Sequence, residues 1–172
     1  MLTSHCKLLN FDLLSEMEIT HILIDDANQA HRELSIYRTG EINRVRLTDN
    51  DYRTYGTLEI SAHNHTALFH FDIVESLNEL PFISETGHGL DSWDEAFLHH
   101  SQLEKMLSIL REAEQKINPE KQEKALLGWH GTPAAAAYWR TIDPQEFLSF
   151  LDKLITFVSE TIEGNYDLEF IF

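Results

Sequence analysis

The sequence predicts an α+β fold: a mostly antiparallel sheet, made of an N-terminal meander of about five strands plus a C-terminal strand, with the helices of the C-terminal half packed on one face. Three observations predict it. Apolar and polar residues alternate with period two in short runs between Glu18 and Val74, the spacing lengthens to 3.6 after Pro81, and it returns to two over Tyr166 to Phe172.

In the meander the expected strands are Ile19 to Asp25, Glu33 to Arg38, Glu41 to Leu47, Thr57 to His63 and Thr66 to Val74, each rich in β-branched or aromatic residues. Thr39-Gly40 links the second and third, where glycine supplies the positive φ of a tight hairpin. Asn64, between His63 and His65, suits the left-handed position of a second turn. Alternation in the fifth strand sets Ala67, Phe69, Phe71 and Ile73 on one face, matched by Leu58, Ile60 and Ala62 on its neighbour. Helix formers in Ala27 to Leu34 keep open a helical alternative for Leu14 to Tyr37.

Beyond Pro81, Ser92-Trp93-Asp94-Glu95 reads as a capping box that opens a long helix. Its apolar stripe runs through Ala96, Leu103, Met106, Leu107, Leu110, Ala113 and Ile117. Asn118-Pro119, Thr132-Pro133 and Asp143-Pro144 each place proline one residue past a capping side chain and predict three further helix starts. The last of these helices is long, buries Phe147, Leu151, Leu154, Ile155, Val158 and Ile162, and ends at Gly164. Tyr166 to Phe172 then alternates as a strand that returns to the sheet.

No repeat, low-complexity tract or Gly/Ser linker divides the 172 residues, so a single domain over 1–172 is expected. With 42% hydrophobic residues, ten Phe and three Trp, the chain has enough apolar surface for a core without disulfides or a structural metal. Cys6 is the lone cysteine, which excludes an intrachain disulfide and points to a reducing, cytoplasmic setting. The N-terminus lacks a signal-peptide block, and Phe147 to Val158 is interrupted by Asp152 and Lys153 and falls short of the ~20 residues of a membrane span.

Thirteen basic against 29 acidic residues give a net charge of −16, divided equally at residue 90. Such a field repels nucleic-acid phosphate and anionic lipid and speeds association with basic proteins. Size, charge and the lack of a catalytic motif fit a non-catalytic binding protein, of inhibitor or immunity type, with a basic protein partner; homo-oligomerisation stays open. Candidate contact residues are acidic groups interleaved with aromatics: Trp93, Asp94 and Glu95, and Asp49, Asp51, Tyr52 and Tyr55. Trp129-His130-Gly131-Thr132-Pro133 joins an aromatic, a titratable group and a turn between two expected helices, and reads as a binding-site rim that takes in His88.

No cofactor is expected on this reading. The ten histidines support the alternative, a metal-dependent enzyme holding zinc, iron or manganese. His63 and His65 at the expected hairpin tip, with His99 and His100 in the first turns of the expected helix, are the candidate ligands, and Asp72 or Asp94 completes the shell or acts as base. Gly87-His88-Gly89 lacks the third glycine of a dinucleotide loop and the Lys-Ser/Thr pair of a phosphate loop, so its glycines are expected to serve backbone geometry. Arg32, Arg38, Arg44, Arg46 and Arg53 crowd the early hairpins, where cross-strand pairing with glutamates is expected.

Overall fold

The computed structural model describes residues 18–24, 34–40, 54–91 and 95–172. The fold is α+β. In chain order the elements are β1 (Thr20–Leu23), β2 (Ser35–Thr39), β3 (Thr54–Glu59), α1 (Ala62–His70), α2 (Ile73–Leu77), β4 (Ile83–Ser84), β5 (Ala96–Leu98), α3 (Leu103–Lys116), β6 (Glu123–His130), β7 (Ala136–Ile142), α4 (Pro144–Glu163) and β8 (Asp167–Ile171).

Five strands form an antiparallel sheet in the order β3-β2-β8-β5-β4, and three form a smaller mixed sheet in the order β1-β7-β6. The C-terminal strand does return to the large sheet, between β2 and β5. Its register sets Phe170 beside Ile36 and Ala96, and Leu168 beside Arg38 and Leu98. Residues directly opposite share a face, and on this face Ile36, Ala96, Leu98, Leu168 and Phe170 are buried. With Leu103, Met106, Leu107 and Leu110 of α3 and Phe147, Leu151, Leu154 and Val158 of α4 it makes the hydrophobic core. Arg38 ties sheet to helix from the same face: its Nε donates to Thr161 Oγ1, its Nη2 pairs with Glu160, and its guanidinium lies 4.1 Å from the Phe157 ring centroid.

α4 forms where the proline signal predicts it. Asp143 Oδ1 accepts from the N–H groups of Gln145 and Glu146, Pro144 opens the first turn, and Gly164 is the C-cap. The left-handed residue that turns the chain into β8 is Asn165 (φ 55°), while Gly164 stays helical at φ −78°. Asp143→Ala is expected to cost about 1 kcal/mol through loss of this cap, read as a lower urea midpoint with unchanged slope.

Several expected elements are different in the structure. Thr66 to Val74 is helical rather than a strand, and Thr57 to His63 is extended only to Glu59. Ser61 caps α1 by accepting from Asn64 N–H, and the buried positions Asn64 and Leu68, like His63 and Ala67, stand four apart, which is helical spacing. The long helix opens at Leu103; Ala96–Leu98 is strand β5, and 92–94, with most of the expected capping box, lie outside the described residues. Asn118-Pro119 and Thr132-Pro133 open no helix. They precede and interrupt a β6/β7 hairpin, with Pro133 in a cis peptide bond within its connection.

The expected strand Glu41 to Leu47 also lies outside the described residues, as does most of Ala27 to Leu34; the described parts of 14–37 are extended, in β1 and β2. Gly87 and Gly89 adopt φ of 74° and 59°, and a Cβ at Gly89 would stand 2.6 Å from Asn78 Oδ1, which accepts from Leu90 N–H. A three-residue 3-10 turn, Gly89–Asp91, begins at the second of them. No helix among the described residues is long and apolar enough to cross a membrane.

Candidate functional site

Among the described residues, the small sheet has one face covered and one open. In β7 the register makes two rows: Leu23, Trp139 and Leu126 lie side by side, and His21, Ala137 and Trp129 form the next. These rows share a face, since Ala137 and Trp139 are two apart on one strand. The opposite face is anchored to α1, where Arg140 Nη1 donates to Ala62 O and Thr66 Oγ1. His70 Nε2 and Glu123 Oε2 meet at 2.6 Å on the α1 side, and Lys121, then His70, hold the Glu123 carboxyl below its usual range.

On the open face Trp129 is 74% exposed, Leu23 60% and Leu126 51%. Trp139 is half-buried and donates its indole N–H to His21 Nδ1 at 3.1 Å, so its polar edge is satisfied while its ring stays on the surface. A depression of about 320 Å³ runs between His21, Ile22, Leu23, Lys124 and Trp139. A bulge at Leu126 to Gly128 puts one extra residue into β6, and Leu127 is also exposed there. This is an aromatic, wall-like surface with a recess, suited to packing against another apolar surface.

Of the expected contact residues, Trp129 and His130 lie at the end of β6, with His130 tilted on Tyr138. Tyr55 is on β3 in the other sheet, exposed and stacked on Tyr166 at 4.8 Å. Glu95 is exposed before β5. Asp49, Asp51, Tyr52, Trp93 and Asp94 lie outside the described residues. His88 is exposed in the loop ahead of Leu90. Leu23, Leu126, Trp139 and His21 are additions from the structure. The alternation Lys124, Leu126 in β6 carried a trace of them, but the match with β1 comes from pairing across distant parts of the chain.

The four candidate histidine ligands do not converge as a group. The hairpin tip that was expected to present His63 and His65 is the first turns of α1. His63 is buried with both ring nitrogens engaged: Nε2 accepts from Asp143 N–H, and Nδ1 lies 3.0 Å from Asn64 Oδ1 and 3.4 Å from Glu146 Oε1. His65 packs on Phe69 and Phe172. Asp72 is exposed at a left-handed turn between α1 and α2.

His99 and His100 are different. They follow β5, with rings 4.0 Å apart, and Asp167 opens the neighbouring strand β8. Asp167 Oδ1 accepts from His100 N–H at 2.6 Å and lies 3.1 Å from His100 Nδ1. Comparison with known proteins finds no matching family model, no similar curated protein and no similar solved structure.

Proposed function

We propose that the chain is a non-catalytic binding protein, of inhibitor or immunity type, that docks on a basic protein through the open face of its small sheet. The observation that carries this reading is the contiguous exposed apolar surface of Leu23, Leu126, Trp129 and Trp139 on a sheet whose other face is packed. Monomeric proteins rarely expose such patches unless they bind something, and an exposed tryptophan beside a recess is the residue type that dominates interface energies.

The charge supports a basic partner. At −16 the chain attracts cationic proteins at long range, which raises the association rate, while the apolar face supplies the contact once the two meet. Among the described residues, carboxylates such as Glu75, Glu79, Glu104 and Asp152 are exposed and join no salt bridge. The same field disfavours nucleic acid and anionic lipid as partners. A single cysteine fits a cytoplasmic setting, where thiols stay reduced.

The test is parallel capture from host lysate on immobilised wild-type protein and on Trp129→Ala, at low and high salt. One basic protein is expected on the wild type at low salt, lost at high salt and reduced at least tenfold on the variant, as for loss of an interface anchor. Equal recovery on both proteins, or no specific recovery at low salt, overturns the reading.

A further inference from the structure

The geometry points to a divalent transition-metal site formed by His99, His100 and Asp167 at one end of the large sheet, separate from the apolar docking face. One ligand atom from each of the three lies within 4.8 Å of the other two. The sheet itself brings them together. β5 and β8 are antiparallel neighbours with Leu98 opposite Leu168, so the residues just past the end of β5 meet the residue that starts β8. The histidines are adjacent in sequence, and the site depends on few backbone degrees of freedom.

The chemistry of the three groups suits such an ion. Two imidazoles and a carboxylate are the donor set that borderline cations such as Zn²⁺ accept, whereas Mg²⁺ and Ca²⁺ call for oxygen alone. Asp167 is 1% exposed, and a buried carboxylate is costly unless charge or hydrogen bonds compensate it. His100 supplies part of that compensation twice over, from its backbone N–H and from its ring. A cation that takes the place of the proton between His100 Nδ1 and Asp167 Oδ1 meets the same two groups with more charge.

His99 completes the set from the surface. Its Nδ1 accepts from Ser101 N–H at 3.3 Å, which places the proton of the neutral ring on Nε2; Nε2 becomes a metal ligand once that proton moves to Nδ1, where Ser101 Oγ at 2.9 Å can accept it. Donors of a tetrahedral zinc ion, with bonds of about 2.1 Å, stand about 3.4 Å apart, closer than the 4.8 Å limit seen here. A rotamer change of the half-buried His99 ring would close that gap, while the more enclosed Asp167 stays in place. Three protein ligands leave a fourth position of the ion for water or for a ligand donor from elsewhere.

The sequence alone placed His99 and His100 on a helix with His63 and His65 as companions. The structure pairs them instead with Asp167, which lies 67 residues further along the chain. The test uses the full chain without a histidine tag, stripped with chelator and titrated with Zn²⁺ by calorimetry and with Co²⁺ by visible absorption. We expect one tight equivalent per chain and a Co²⁺ spectrum of a four-coordinate nitrogen and oxygen site. His99→Ala and His100→Ala should each weaken binding by on the order of 100-fold and remove that spectrum, with far-ultraviolet circular dichroism unchanged.

His63→Ala and His65→Ala serve as controls for binding by the other histidines and are expected to leave the Co²⁺ spectrum intact. Asp167→Asn is the less secure variant because its carboxylate is buried, so the histidine variants decide the matter. Absence of a tight equivalent in the wild type, or its retention at equal affinity in the His99→Ala, His100→Ala double variant, overturns the site.

Discussion

Phe147→Ala is expected to destabilise the protein by about 3–5 kcal/mol, the range for removing a fully enclosed aromatic ring and leaving a cavity. Phe147 is fully buried in the first turns of α4, stacked on Phe71 at 5.4 Å and 14° and flanked by Phe150 at 6.2 Å. It joins the segment after α1 to the helix that covers the large sheet, so its loss loosens two parts of the core at once. Equilibrium urea unfolding measures it. Phe147→Leu keeps most of the volume and should cost clearly less, while a loss below 1 kcal/mol for the alanine variant would mean that α4 does not seat on this ring.

The second large effect is electrostatic. Glu169 lies in the middle of β8, between Tyr37 on β2 and Phe97 on β5, and is 2% exposed. Burial raises its carboxyl from the usual value of 4.5 to about 7. The folded protein therefore holds this proton more tightly than the unfolded chain does. Its contribution is fully present below pH 4.5 and is lost as pH rises through about 7, a change of about 3 kcal/mol for this one group. Glu169→Gln keeps the shape without the charge and is expected to be more stable than wild type at pH 8 by a similar amount, with little difference at pH 4.5. Thermal or urea unfolding across that range, in chelator so that any ion at Asp167 does not contribute, reads the difference; parallel pH profiles for both proteins would show that Glu169 ionises without cost.

How far the chain could be read without coordinates differs from element to element, for physical reasons. α4 was legible because every level agreed: Asp143 and Pro144 at the start, an apolar stripe of period 3.6, and Gly164 at the end. β8 was legible from Leu168, Phe170 and Phe172 alone. The segment 61–74 misled because short apolar runs fit period two and period 3.6 alike, and Phe69, counted as core in a strand, is in fact 38% exposed. Before and within the β6/β7 hairpin, proline after a capping residue imitated a helix start twice. There the four alanines before Tyr138 are helix formers by propensity, yet Ala136 and Ala137 pair with strands on both sides.

The sites show the same division. Trp129 and His130 do stand exposed beside a chain reversal, but that reversal joins two strands and not the two helices expected. The rows that make Trp129 part of a wall, and the contact of Asp167 with His100, depend on strand order, which no local pattern encodes.

The parallel pairing of β1 with β7 carries a cost in chain topology. Thr20 and Ala136 are direct partners although they are more than one hundred residues apart, whereas β6 and β7 are separated by the short connection from Gly131 to Ala135. Closing the longer span costs roughly 3 kcal/mol more in chain entropy than closing the hairpin. β1 brings only four residues to offset it, three of them exposed. β1 is thus the most weakly held strand of the small sheet, and the placement of Leu23 and His21 depends on it. The wall at Trp139 and Trp129 therefore owes its Leu23 edge to the most weakly held strand, and a partner that gripped Leu23 would draw part of its selectivity from holding β1 in place.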